Sequence, residues 1–286
     1  MSKKVLIVGC NGTLGQALVS EFSRANYEVT AWDKADADAS SPDIEPKIMS
    51  LKPEIIINAT AYNAVDKAET DEKERELAFV INAEIPKRLS GVAKKIDAIF
   101  VHYSTNYVFS GDKKEGYTES DIPSPINKYG ESKLAGEEAV KKVKGKYYIL
   151  RLSRLFGKRG ISEMSKRTFV EIMMAEIEKN ELEVGNTEVS AITYAPDLAE
   201  LTRKIIEEKI PFGVYHGANE GSCTWYEWAK EIFADLGKGP KVLSAPHSLT
   251  PKTTKHPVYA TLLNTKLPKQ RTWQEALKEF LKGTVK

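Results

Sequence analysis

The stretch that most constrains this chain runs from Val5 to Phe22, where an apolar run meets a glycine-spaced turn and then a helical period. Val5-Leu6-Ile7-Val8 shows no polar alternation, the pattern of a short strand covered on both faces of a parallel sheet. Gly9, Gly12 and Gly15 follow, and Gln16 to Phe22 repeats apolar residues at helical intervals. A strand that turns directly into a helix leaves the first-turn N–H groups unpaired and aims the helix dipole at the same point. That makes an anion site. Glycine at 9 and 12 lets the backbone turn and approach a pyrophosphate, and Gly15 lets helix and strand pack closely. The spacing is Gly-x-x-Gly-x-x-Gly rather than Gly-x-Gly-x-x-Gly, so the flanking strand and helix carry the assignment to dinucleotide binding.

The next strand, Glu28 to Trp32, ends in Asp33, where a carboxylate takes the adenosine ribose hydroxyls and favours NAD. Lys34 beside it suits a 2′-phosphate equally well, so NADH and NADPH both stay open. Glu54 to Ala61 reads as a further central strand ending in small residues that leave room for a cofactor. Residues 67–95 read as helices, with Asn82 a polar core contact, and Ala98 to Val101 and Tyr147 to Leu152 as two more strands. Strands alternating with helices from 4 to 157 predict an α/β fold with a doubly wound parallel sheet of the Rossmann kind.

Beyond Gly157 the pattern changes. Residues 158–166 read as a polar, basic loop on the substrate side, and 167–180 as an amphipathic helix with Met173 and Met174 in its core. Asp197 to Glu207 reads as a helix returning to the sheet, Gly213 to Gly217 as a short strand, and Thr224 as the cap of a helix through Trp228. The tail from 247 to 271 reads as loop before a last helix from Thr272 to Leu281. The expected division is a dinucleotide-binding domain of residues 1–158 and 184–205, interleaved with a smaller α/β substrate domain of residues 159–183 and 206–286.

The chemistry-bearing stretch is Ser104 to Glu137. Ser104 and Thr105 follow the apolar run Ile99-Phe100-Val101, and Tyr129 and Lys133 stand one helical turn apart, on one face of a helix. Such a pair is commonly just an amphipathic surface turn. Here it follows a strand of a dinucleotide-binding sheet. An ammonium beside a phenol pulls the phenol pKa toward the working range, and Thr105 then orients a carbonyl oxygen toward Tyr129. That is a proton-transfer site for a carbonyl or an alcohol.

With 286 residues and a net charge of +2 from interleaved acids and bases, the chain has the composition of an ordinary soluble globular protein and no nucleic-acid signature. Its 2 cysteines cannot make a disulfide framework and its 4 histidines lack metal-ligand spacing, so no metal site is expected. The apolar stretch Val5 to Val8 is too short for a signal peptide or a membrane span, which predicts a cytoplasmic protein without a membrane partner.

The glycine turn, HYSTNYVFSG, YGESKLAGE and GVYHGANEGSCTWYEWAKEIF together resemble the extended short-chain dehydrogenases/reductases, most closely the dTDP-4-dehydrorhamnose reductases. AYNAVDKAE is similar to that family's substrate-side loop, and the resemblance covers nearly the whole chain. It implies Thr105, Tyr129 and Lys133 as the catalytic set, with Tyr129 protonating the C4 oxygen of a keto sugar. It implies cofactor contacts from Gly9, Asn11, Gly12, Thr13, Leu14 and Asp33, with Ala59, Ala61 and Tyr62 at the strand end beside them; Gly15 and Lys34 join these candidates from the reading of the turn and of the second strand's end. Asn63, Val65, Tyr107 and Arg154 fall at sugar-nucleotide positions. Asn106 stands where the family has aspartate, Arg154 where it has tryptophan, and His256-Pro257 where it has Arg-Pro; Val189 to Tyr194 replaces a Gly-x-Pro-Thr element. Some relatives dimerise around magnesium held by glutamates; a homodimer is compatible with the chain, but no spacing selects magnesium.

The expected reaction is reduction of dTDP-4-dehydro-L-rhamnose to dTDP-L-rhamnose, a precursor of surface polysaccharide. Asn106-Tyr107 lacks the Asp-Glu pair that the related 4,6-dehydratases need. A C4 epimerase would keep the Thr/Tyr/Lys set, and an epimerase-reductase would need a Cys/His pair, for which Cys223 and His216 are the nearest candidates. A non-catalytic NADP-binding subunit, like the regulatory beta subunit of methionine adenosyltransferase, is the alternative of a different class.

Overall fold

The Val5 to Val8 run forms the middle of a six-stranded sheet, in a computed structural model that describes residues 2–162, 165–246 and 254–284. The first half of the chain alternates as expected: β1 (Lys4–Val8), α1 (Thr13–Arg24), β2 (Glu28–Trp32), α2 (Ile44–Leu51) and β3 (Ile55–Asn58). Then follow α3 (Val65–Thr70), α4 (Glu72–Phe79), a π-helical turn (Val80–Glu84), α5 (Ile85–Lys95), β4 (Ile99–Thr105), α6 (Lys128–Val143) and β5 (Tyr147–Leu152). The second half carries β6 (Leu155–Phe156), α7 (Phe169–Ala175), β7 (Glu181–Gly185), β8 (Val189–Ser190), β9 (Thr193–Tyr194) and α8 (Ala195–Glu207). It ends with β10 (Gly213–His216), α9 (Trp225–Leu236), β11 (Lys241–Ala245), β12 (Tyr259–Ala260) and α10 (Trp273–Thr284).

The main sheet has the order β10-β5-β4-β3-β1-β2, with every pairing parallel. The chain leaves β1 toward β2 and then returns to place β3 on the other side. The order therefore reverses beside the carboxyl end of β1, where open α/β sheets bind ligands. Val5, Ile7, Ile55, Ile57, Val101 and Tyr103 face α1 and α8, while Leu6, Val8, Ile56 and Phe100 face α2, α5 and Val140 of α6. Period-two alternation between two apolar layers explains why the strands read as unbroken hydrophobic runs. A second core gathers Met173, Leu182, Val184, Trp228, Ile232, Trp273 and Leu277 from α7, β7, α9 and α10.

Several expectations are corrected. Residues 213–216, assigned to the smaller domain, pair as β10 with β5 and form the edge of the main sheet. A four-residue strand does not reveal its partner, whereas the preceding α8 packs across α1 and carries the chain back to that edge. The helix expected over 167–180 stops at Ala175, and β7 pairs with β11 in a small parallel sheet that the sequence reading missed. The expected tail loop contains β12, paired with β8, and bridges Asp112 to Tyr259 and Tyr117 to Leu262. Residues 247–253 of that tail, with His247, lie outside the described residues. Thr224 does cap α9, in a capping box closed by Glu227.

Candidate active site

The glycine turn is held by close backbone contacts. Gly9 has φ +84°, and a Cβ there would lie 2.8 Å from the Thr60 N at the end of β3. A Cβ on Gly15 would lie 2.1 Å from the Gly9 carbonyl oxygen, so α1 packs on the turn only without a side chain. A Cβ on Gly12 would meet nothing nearer than 3.5 Å, so the fold itself does not demand glycine there; it leaves the α1 N-terminus open. Asp33 is pinned beside the turn, its two carboxylate oxygens accepting from Asn11 N at 3.1 Å and Lys34 N at 2.8 Å. The Lys34 side chain is exposed, and the Leu14 side chain is buried in the sheet-facing core, leaving its backbone for the turn. Thr13 Oγ1 accepts from Gly160 N at 3.2 Å, while Ile161 N and Ser162 N donate to the Asn11 carbonyl. The loop expected on the substrate side therefore starts by clasping the glycine turn; residues 163 and 164 of it lie outside the described residues.

Ala59 and Ala61 line the end of β3, and Ala61 and Asn63 are exposed there. Tyr62 departs from expectation. Its ring is buried with Ala68 and Ala78, and its hydroxyl donates to Glu74 at 2.7 Å. Its backbone is clamped by Asn82, which accepts from Tyr62 N at 3.0 Å and donates to Tyr62 O at 3.1 Å and Ser132 Oγ at 3.0 Å. The π-helical turn brings Asn82 to α6 so closely that a Cβ on Gly136 would lie 2.1 Å from the Asn82 carbonyl oxygen. Val65 opens α3 and is half-buried.

Strand β4 delivers Thr105, and α6, capped by Asn127 accepting from Gly130 N at 2.8 Å, delivers Tyr129 and Lys133. The Thr105 hydroxyl donates to Asn106 Oδ1 at 3.2 Å and accepts from Tyr107 N at 3.2 Å. Burial raises the Tyr129 phenol above its ordinary pKa, and the neighbouring Thr105 hydroxyl reduces that rise. The expected pull of the Lys133 ammonium on this phenol is not what the geometry gives. Lys133 Nζ donates to the Tyr103 carbonyl at 2.6 Å, and burial brings its pKa down to about 8 against the opposing field of Glu137. Glu137, one turn on, accepts twice from Arg151, with both bonds at 2.8 Å, inside the protein. His102, on β4, is held well below its ordinary pKa by burial and then by Lys133, and its Nδ1 meets Asn58 Nδ2 at 3.2 Å.

Arg154 is committed to the wall of the site. Its guanidinium donates to Cys223 O at 2.7 Å and Glu188 O at 2.9 Å and stacks 4.0 Å from the Trp225 ring centroid. Its backbone, at φ +43°, is in the left-handed region, a strain that these contacts hold in place. Asn106 donates to Ser190 Oγ at 2.8 Å and Ala260 O at 3.1 Å; an aspartate could accept from the Ser190 hydroxyl but could not bond the Ala260 carbonyl. His216 and Cys223 have different partners: His216 Nδ1 meets Leu263 O at 3.0 Å, whereas the Cys223 backbone pairs with Ser190. Among the described residues no cluster of three or more His, Cys, Asp or Glu is placed to hold a metal, and no helix is long and apolar enough to cross a membrane.

Sequence reasoning missed the support beneath the catalytic candidates. Glu137 was legible in principle, since YGESKLAGE puts it on the helix face of Lys133, and Arg151 inside an apolar strand demands a buried acid. The meeting of His256 with Tyr107 had no local signal.

The chain is 34% identical over 284 residues to the spore coat polysaccharide biosynthesis protein SpsK of Bacillus subtilis, covering 97% of this chain and 96% of that one. It is 31% identical over 299 residues to the dTDP-4-dehydrorhamnose reductase of Escherichia coli K12, with 97% and 96% covered. The crystal structure of dTDP-4-dehydrorhamnose reductase from Bacillus anthracis, in complex with NADP, superposes with a TM-score of 0.91 at 35% identity, covering 99% of this chain and 100% of that one. A Thermus thermophilus UDP-glucose 4-epimerase, at 18% identity and a TM-score of 0.78, shares the fold. The family model described as the RmlD substrate binding domain matches residues 3–285, and the chain belongs to that family.

Proposed function

We propose that this protein is an NAD(P)H-dependent reductase of the C4 keto group of a nucleotide-linked 6-deoxy sugar, converting dTDP-4-dehydro-L-rhamnose to dTDP-L-rhamnose in the cytoplasm. The observation that carries it is the Thr105 hydroxyl beside the Tyr129 phenol, with Lys133 one turn along α6, at the carboxyl edge of the sheet whose β1 leads into the glycine turn. The turn fits a dinucleotide: Gly12 leaves space over the α1 N-terminus, and Asp33 is fixed at the ribose position. Gly9, Asn11, Gly12, Thr13, Leu14, Gly15 and Asp33 are the residues that would hold it, with the ends of β3 beside them. When bound, the cofactor supplies the hydride.

Tyr129 gives its proton to the C4 oxygen as negative charge develops there. A phenol raised by burial suits this direction, because it keeps its proton until the oxygen becomes basic. Thr105, fixed by Asn106 and the Tyr107 N–H, hydrogen-bonds the same oxygen. Lys133, one turn along α6 from Tyr129, would hold the nicotinamide ribose. Asn63, Val65 and Tyr107 form the sugar-nucleotide wall, and Arg154 acts on it through Trp225 and residue 188.

The test is loss of reduced-nicotinamide absorbance with dTDP-4-keto-L-rhamnose generated in situ. Wild type should turn over, and Tyr129→Phe should lose about 10²- to 10³-fold in kcat while binding cofactor normally. Cofactor binding without turnover would refute the reductase reading and favour a regulatory subunit.

A further inference from the structure

The last part of the chain reaches back into the site through one side chain. Lys255 O accepts from Asn127 Nδ2 at 2.9 Å, which ties this segment to the residue that caps α6. The next residue, His256, places Nδ1 2.9 Å from the Tyr107 hydroxyl and Nε2 3.5 Å from the Asp66 carboxylate. The imidazole thus shares a hydrogen bond with the Tyr107 phenol and has the Asp66 carboxylate nearby.

Tyr107 is the hinge of this arrangement. Its backbone N–H donates to Thr105 Oγ1 at 3.2 Å, and its ring meets that of Tyr129 edge-on, with centroids 5.4 Å apart and planes at 78°. The His256 ring meets Tyr107 in the same way, at 5.6 Å and 74°. One residue therefore touches both hydroxyl-bearing candidates, and its own phenol is held by His256.

We propose that His256 is a positioning residue for carbonyl reduction: by holding the Tyr107 phenol it sets the Tyr129 ring and the Thr105 hydroxyl at the separation that proton transfer requires. The proposal rests on the reductase reading. The segment 255–260, anchored at Lys255 by Asn127 and at Ala260 by Asn106, holds the imidazole in place, with the Asp66 carboxylate 3.5 Å from its Nε2. A general acid displaced by about 1 Å loses up to about 10²-fold in rate.

The experiment compares steady-state kinetics of wild type, His256→Ala, His256→Asn, Tyr107→Phe and the double variant His256→Ala/Tyr107→Phe, with cofactor binding followed by fluorescence. His256→Ala should lower kcat about 10- to 100-fold, with the KM for cofactor unchanged. His256→Asn, whose amide occupies the Nδ1 position, should recover most of that loss. Tyr107→Phe should fall as far as His256→Ala, and the double variant no further, since both remove one contact. A wild-type kcat in His256→Ala, failure of Asn to rescue, or losses that multiply in the double variant would overturn the proposal. If the alanine variant does not fold, the His256→Asn and Tyr107→Phe kinetics decide it by the same criteria. An inactive wild type would refute the reductase reading and this role with it; an active wild type indifferent to His256→Ala refutes this role alone.

Discussion

Replacing Lys133 by methionine should make the cofactor-free protein more stable while abolishing its turnover. Lys133 is 2% exposed, and burial brings its pKa from 10.5 to about 8. At about 1.4 kcal/mol for each tenfold change, that difference is about 3 kcal/mol of cost carried by the charged form in the folded chain. Below pH 8 both folded and unfolded chains hold the proton, so the whole cost is present. Between pH 8 and 10.5 the unfolded chain keeps the proton and the folded chain releases it, so wild-type stability rises with pH across that window. Methionine keeps the volume and removes the charge. It also loses the bond to the Tyr103 carbonyl, worth about 1 kcal/mol, so the net gain near pH 7 is about 1–3 kcal/mol. Glu137 is not orphaned by the change, because Arg151 still binds both its oxygens. Urea unfolding of both proteins at about pH 7 and about pH 9.5 measures the gap directly. The variant should lead at the lower pH and the gap should close at the higher one. A variant less stable than wild type by the same amount at both would refute the reasoning.

Glu137→Gln breaks the buried pair with Arg151, whose remaining face lies 5.0 Å from the Phe109 ring, and should cost about 3 kcal/mol in urea unfolding. Burial pushes Glu137 up, but Arg151 and Lys141 hold it below the ordinary carboxylate value, so stability from this pair is present above that value and lost as pH falls through the folded one. The two later glycines of the turn should separate cleanly. Gly12→Ala should keep its melting temperature and weaken cofactor binding at least about tenfold, because only a ligand needs that space, whereas Gly15→Ala should lose stability as well, since its Cβ would strike the Gly9 carbonyl. Equal melting temperatures for the two would refute the distinction.

Periodicity and spacing are local properties, and most of what they govern was legible, the end of α7 at Ala175 and the strand β7 after it excepted. The double-faced apolar runs of β1 and β3, the glycine turn, the Asp33 carboxylate and the Tyr129/Lys133 face of α6 all lie within a few residues of their own signal. So was the Thr224 cap, because a capping box spans four residues. What failed were statements about partners. A four-residue strand such as β10 carries no mark of which neighbour it will take, and the loop after Gly157 shows its basic composition but not that it clasps Asn11 and Thr13.

The chemistry divides the same way. By itself the sequence determined that Thr105 ends a sheet strand and that Tyr129 and Lys133 stand one turn apart on the next helix, because each sits at a fixed offset from a strand end or along one helix. Only the tertiary structure decided how they behave. It buried Lys133 against the Tyr103 carbonyl and turned the Tyr62 ring away into the wall. It also brought His256 to Tyr107 across a sequence separation of 149. Burial and long-range hydrogen bonds depend on which distant segments meet, and that choice is made by the packing of the whole chain.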